Sequence, residues 1–258
     1  MLRVLIGKKQ LQFYDTLNWQ TQSDRFRQPD LIYPHYYSSQ NYHGIEGGYL
    51  NPVAAITYDV VAAYTAPPNE TWIRQQLIAA IDCQPRRILD LGCGTGSATL
   101  MLKQAFPQAV VIGLDLSPYM LIVAEYKAQL AGLNINWIHG LAEATPFKEA
   151  DFDLVTVSFL LHETPVEISQ LILQECFRIL KPEGELIILD GNQKRLRHAK
   201  WLIDIFQEPY SKVYAAESVN TWIGEAGFES VKTEYIGWID QITQGIKPIV
   251  SKCGCESL

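Results

Sequence analysis

Cysteine is scarce in this 258-residue chain, and the five present, at 83, 93, 176, 253 and 255, are scattered and odd in number. That usage argues against a disulfide framework and for reduced thiols, with the cytoplasm as the expected compartment. Cys253-Gly-Cys255 offers two soft ligands on a tail, which is incomplete as a metal site, and no metal is expected. No apolar run approaches the roughly 18 residues of a membrane-spanning helix, and Met1 to Gly7 is too short for a secretory hydrophobic region. Positive charge is also in short supply: 21 Lys and Arg face 28 Asp and Glu. The net charge of −7 gives no general drive toward nucleic acid or anionic lipid, so neither is the expected partner. Internal repeats and low-complexity segments are absent as well, which removes solenoid and fibrous readings.

What is present suits a folded domain. Hydrophobic residues make up 48% and charged residues 19%, enough for one large α/β domain with a small accessory segment. Residues 1–66 differ from the rest, because they hold eight of the thirteen tyrosines: Tyr14, Tyr33, Tyr36, Tyr37, Tyr42, Tyr49, Tyr58 and Tyr64. Gly44, Gly47, Gly48 and Pro52 interrupt regular periods there, so this N-terminal aromatic cap is predicted to consist of loops and short helices. Pro67-Pro68 punctuates the chain, and Asn69 is placed to N-cap a helix over Glu70 to Ile81 that opens the main domain, residues 67–258.

From Arg87 onward short β-rich runs alternate with helical stretches: 88–91, 110–115, 135–138, 152–159 and 185–190. Strands separated by helices imply right-handed βαβ units. Two closing runs, 230–236 and 238–243, bring the expectation to an α/β fold with a doubly wound, mostly parallel, seven-stranded sheet. Ser117-Pro118 reads as an N-cap and first helical position, with Gly132 ending that helix. Ile168, Leu171, Ile172, Phe177 and Leu180 form an apolar stripe predicted to be core. Residues 191–214 break the alternation and read as an insertion leaning over the sheet, with Trp201, Phe206 and Pro209 in it, before a helix near 218–226 ended by Gly227.

The strongest chemical signal is Ile88-Leu89-Asp90-Leu91-Gly92-Cys93-Gly94-Thr95-Gly96, a strand entering a glycine-rich turn that opens a helix. Glycines there allow positive φ and a close approach of the backbone to a ligand. A dinucleotide fingerprint would need its third glycine at 97, which is Ser97, so the spacing is GxGxG. Asp90 at the turn would repel a diphosphate yet favour a positively charged ligand, such as the sulfonium and ammonium of S-adenosylmethionine. Asp115 ends the next strand, where a carboxylate can accept from two ribose hydroxyls, a placement that nicotinamide cofactors share. Gly140-Leu141-Ala142-Glu143-Ala144-Thr145-Pro146-Phe147 follows the third strand and is expected to face an adenine.

Together these elements resemble the class I S-adenosylmethionine-dependent methyltransferases from about Asn69 to Gly245, with most likeness to the methyltransferase-11 group of ubiquinone and menaquinone C-methyltransferases. Leu114 to Leu121, Phe152-Asp153-Leu154-Val155 and Arg178-Ile179-Leu180-Lys181-Pro182 fit the same pattern. The resemblance implies S-adenosyl-L-methionine as cofactor, with Gly92, Gly94 and Gly96 shaping its pocket and Asp90 near the methionine moiety. It further implies Asp115 and Leu116 at the ribose end and the Leu141-Ala142 backbone at the adenine. Two positions depart from it. Leu141 stands where relatives carry an Asp that accepts from the adenine amino group, which implies weaker cofactor binding, and Glu183 replaces a common glycine.

The fourth strand leads into Ser158-Phe159-Leu160-Leu161-His162-Glu163-Thr164-Pro165. Strand ends border the ligand crevice of a doubly wound sheet, so His162 is a candidate base for an acceptor, with a purely structural histidine as the competing reading. Tyr33, Tyr36, Tyr37, Tyr42 and His43 are candidates to bind a flat or greasy substrate, or else pack the cap onto the sheet. Methyl transfer is an in-line displacement in which the protein aligns and desolvates the partners. The expected function is methylation of a small-molecule acceptor, quinone-like or otherwise aromatic. A non-catalytic S-adenosylmethionine-binding sensor and a nicotinamide-dependent oxidoreductase are the alternatives, and the pattern specifies no oligomeric state.

Overall fold

The computed structural model describes residues 8–65, 69–199, 201, 203 and 207–249. Cys253, Cys255 and Phe206 lie outside them. Seven strands form one sheet in the order β3-β2-β1-β4-β5-β7-β6: β1 (Arg87–Leu91), β2 (Val110–Asp115), β3 (Asn136–His139), β4 (Phe152–Ser158), β5 (Leu180–Gly191), β6 (Glu229–Ile236) and β7 (Asp240–Ile246). All pairings among β1 to β5 are parallel, whereas β7 runs antiparallel to β5 and β6. The central strands are apolar without alternation because helices cover both faces. Leu89 and Leu91 of β1 enter one core, and Ile88, just before them, enters the other. Among the described residues no helix is long and apolar enough to cross a membrane.

The expected helix punctuation is present. Ser117 caps α7 (Pro118–Leu130) by accepting from the Met120 amide, and Gly132 beyond its end has φ of +66°. Asn69 likewise caps α5 (Glu70–Ala79) through the Trp72 amide. In α8 (Val166–Ile179) the buried apolar positions are Ile172, Leu173, Cys176 and Ile179. Leu171 is a correction: it turns outward and is 44% exposed, because the face that meets the sheet is centred on 172 and 176.

The cap differs from expectation in one element. After α1 (Lys8–Thr16), α2 (Trp19–Phe26) and α3 (His35–Ser38), two single turns lead into α4 (Pro52–Thr65), a helix of 14 residues. Pro52 opens this helix instead of interrupting the cap, since a proline at the first helical position loses no hydrogen bond and has a pre-set φ. The cap is built around Tyr14, Tyr42, Tyr49, Ala54 and Ala55, and it closes on Met120 and Val123 of α7. Asp59 of α4 clips it to the sheet domain by taking Lys127 Nζ at 2.7 Å and Thr95 Oγ1 at 2.5 Å.

The insertion after β5 contains α9 (Gln193–His198) and α10 (Ser211–Ala216), which leads to α11 (Val219–Glu225). Gln193 Nε2 donates to the Tyr214 carbonyl at 2.7 Å, and Tyr214 Oη donates to the Gly191 carbonyl at 2.9 Å. These bonds fold the insertion back over the end of β5.

Candidate active site

The glycine turn and Asp115 form a single hydrogen-bonded unit. Gly94 donates its amide to Asp115 Oδ2 at 2.7 Å, and Ser117 donates to Oδ1 at 2.8 Å. Gly92 has φ of +70°, and a Cβ there would lie 2.8 Å from Leu160, so this position admits only glycine without rearrangement. Burial lifts the Asp115 carboxyl to about 6 despite the two amides.

A cavity of about 680 Å³ opens over this unit, at the C-terminal ends of β1, β2 and β4. Of the residues expected to bind cofactor, Gly92, Gly94, Asp115, Leu116 and Ala142 line it, and the cap contributes Tyr36, Tyr37 and Tyr42. Leu141 and Gly96 are not among the lining residues, and Gly96 instead precedes α6 (Ser97–Ala105) with φ of +76°. Asp90 is not among the lining residues either: it is 1% exposed, and its two oxygens accept from Thr99 Oγ1 at 2.5 Å and Thr156 Oγ1 at 2.9 Å. Its role in this geometry is to fasten the turn to the start of α6 and to β4. Tyr33 turns elsewhere, its hydroxyl 3.3 Å from His139 Nε2.

Two buried polar atoms of the lining residues have no partner among the described residues, Ser158 Oγ and Glu143 Oε2. Glu143 is held by its other oxygen, which accepts from Tyr36 Oη at 2.8 Å. This places an acceptor two residues beyond Leu141, in the loop that the sequence reading expects to face an adenine.

A second cavity, about 990 Å³, adjoins the first and shares Tyr49, Tyr58, Phe159 and Glu163 with it. Its walls are mainly apolar, from Ile45, Ala54, Val61, Ala62, Leu196 and Ile239. At its polar end His162 Nδ1 donates to Asp190 Oδ1 at 2.5 Å, and Nε2 faces Glu208 Oε2 at 3.5 Å. Burial disfavours a charged imidazole, but Asp190 and Glu208 outweigh it and raise the His162 pKa well above the ordinary value. In return, the His162 charge overcomes the burial of Glu208 and holds that carboxyl near 2.

His43 extends the same network, with Nε2 2.9 Å from Tyr49 Oη and 3.4 Å from Glu163 Oε1. Tyr49 Oη donates to Glu163, which therefore sits between cap and sheet. Burial raises the pKa of Tyr37, Tyr42, Tyr49 and Tyr58 above the usual phenol value, so these tyrosines act as neutral hydrogen-bonding groups. Sequence reasoning did not single out Glu208 or Asp190 for this site. Asp190 was visible as a carboxylate ending a β-rich run, but Glu208 arrives from the insertion and left no local pattern.

Comparison with known proteins gives a consistent picture. Residues 88–184 match a family described as "Methyltransferase domain". A demethylmenaquinone methyltransferase of Shouchella clausii is 32% identical over 219 residues, covering 74% of this chain and 92% of the relative. A protein of the same name from Thermus thermophilus is 39% identical over 119 residues, 46% of this chain, and the match spans about half the relative's length, 53%. Among solved structures, an S-adenosylmethionine-dependent methyltransferase from Aquifex aeolicus superposes with a TM-score of 0.59 at 18% identity, covering 76% of this chain and 98% of the other.

Proposed function

This chain belongs to the class I S-adenosylmethionine-dependent methyltransferases, and from that premise we propose that it methylates a small, mainly apolar acceptor, quinone-like or otherwise aromatic, held in the second cavity. The observation that carries this reading is the pair of adjoining cavities at the strand ends, one lined by the glycine turn and Asp115, the other largely apolar. The name of the Shouchella relative favours a quinone-like acceptor over other aromatic compounds.

The donor set of the first cavity fits S-adenosylmethionine. Asp115 would accept from the ribose hydroxyls, the orphaned Glu143 Oε2 from the adenine amino group, and the Gly92-Gly94 turn would meet the methionine portion. When bound, the cofactor supplies an electrophilic methyl group. The chain's own contribution is alignment and exclusion of water: Tyr49, Tyr58 and Phe159 form the boundary across which donor and acceptor meet. With both ring nitrogens turned to carboxylates, His162 holds a proton rather than awaiting one. In this reading it fixes the insertion over the cavity through Glu208, and proton removal from an acceptor falls to Glu163 at the shared wall.

The test is incubation with methyl-labelled S-adenosylmethionine and a lipophilic extract, followed by phase partition. Label in the organic phase, lost in Asp115→Ala, supports the reading. Label confined to the aqueous phase removes the apolar acceptor, and binding of NAD with no binding of S-adenosylmethionine overturns the assignment of the first cavity.

A further inference from the structure

Asp240, the first residue of β7, lines the second cavity and is 3% exposed, yet its Oδ2 has no hydrogen-bond partner among the described residues. The other carboxylates around this cavity are engaged. Asp190 takes His162 and the Leu161 and Gly191 amides, Glu208 takes Ser211, Glu163 takes Tyr49, and Glu70 takes Arg74. A buried acceptor without a donor is costly, and a bound molecule that brings a donor removes the cost.

Building on the reading of this cavity as the acceptor site, we propose that Asp240 anchors a hydroxyl group of the acceptor. The site then takes a flat, apolar molecule bearing an O–H and discriminates against the same molecule with that oxygen alkylated. Asp240 pairs with Gly191 across the β5–β7 register, at the same end of the sheet as His162. It does not line the first cavity, so it selects the acceptor without touching the cofactor.

A hydroxyl suits this place better than an ammonium. Burial, reinforced by the charge of Asp190, pushes the Asp240 carboxyl up to about 7, and nearby His162 only partly opposes this. Near neutrality the group thus carries a fraction of a charge, too little to offset the desolvation of a full cation among Ile45, Ala54, Leu196 and Ile239. A neutral hydroxyl needs no such compensation. A site built to pair a hydroxyl rejects the analogue that lacks one far more strongly than an apolar pocket would.

The experiment is calorimetric titration of the full chain with 2-naphthol and with its methyl ether, in the absence and presence of saturating S-adenosylhomocysteine. 2-Naphthol is expected to bind at least tenfold more tightly. That preference should vanish in Asp240→Leu and survive in part in Asp240→Asn. Equal affinities in the unaltered chain, a preference that persists in Asp240→Leu, or saturable binding of neither probe overturns the proposal. S-adenosylmethionine titration of each sample shows whether the variants keep the first cavity, and if Asp240→Leu does not fold, the unaltered chain and Asp240→Asn decide alone. A chain that selects 2-naphthol but binds no S-adenosylmethionine refutes the methyl-transfer reading and leaves the Asp240 site standing.

Discussion

Asp115 is held by two backbone amides before any ligand arrives, so it needs little reorganisation to accept from ribose hydroxyls. Replacing it with Asn weakens those charge-assisted bonds, each contributing about 1.5 to 3 kcal/mol, and should raise the cofactor Kd by about ten- to a hundredfold in calorimetry. Because its pKa lies near 6, the ionised form predominates above that value and cofactor affinity should fall as pH is lowered from 8 to 5. Asp240 gives a separate signature in stability. Its folded pKa of about 7 exceeds the ordinary 3.8, so between these values the folded chain binds the extra proton. Its contribution to stability is therefore fully present below about pH 4 and is lost as pH rises through 7. Asp240→Asn should gain stability relative to the unaltered chain at pH 8 compared with pH 5, by about 2 to 3 kcal/mol, as read from urea titrations at the two pH values.

At the scale of elements, β5 carries an expensive turn. Glu183 has φ of +64°, a backbone region that favours glycine, and its amide donates to the Lys247 carbonyl at 2.8 Å. Glu183→Gly removes a left-handed non-glycine residue and should stabilise the protein by about 1 kcal/mol in urea unfolding. The adjacent Gly184 has no such latitude, since a Cβ there would lie 2.7 Å from the Lys181 carbonyl oxygen. Helix α4 depends on Asp59, the residue after Tyr58, for its tie to Lys127 and Thr95. Asp59→Ala should speed amide exchange across residues 52–65 while leaving β1 and β4 protected, because only the clip between cap and sheet domain is lost. The elements themselves were largely legible. Ser117-Pro118, Asn69 and the strand-turn-helix around Gly92 announce themselves through short-range chemistry. Pro52 did not, because a proline ends one helix and begins another with the same residue, and only the burial of Ala54 and Ala55 against Tyr49 shows which it does.

For the molecule as a whole, the legible part of the site is the part built from contiguous sequence. Gly92, Gly94, Asp115, Leu116 and Ala142 come from two strand ends and a loop, and all of them line one cavity. The second cavity draws on the cap, on the segment after β4, on the insertion and on β7, and its polar groups meet only after long-range packing. Neither Glu208 nor Asp240 has a neighbour in sequence that signals its place, so spacing rules could not assemble His162 with them. The wall common to both cavities has a thermodynamic consequence. On the proposed function, Tyr49, Tyr58, Phe159 and Glu163 would contact both occupants. Any adjustment of this wall to one would then change the affinity for the other, and whatever factor the first applies to the second, the second must return to the first. Cofactor and acceptor affinities would in that case be read as a reciprocal pair, each measured with the other site filled and empty.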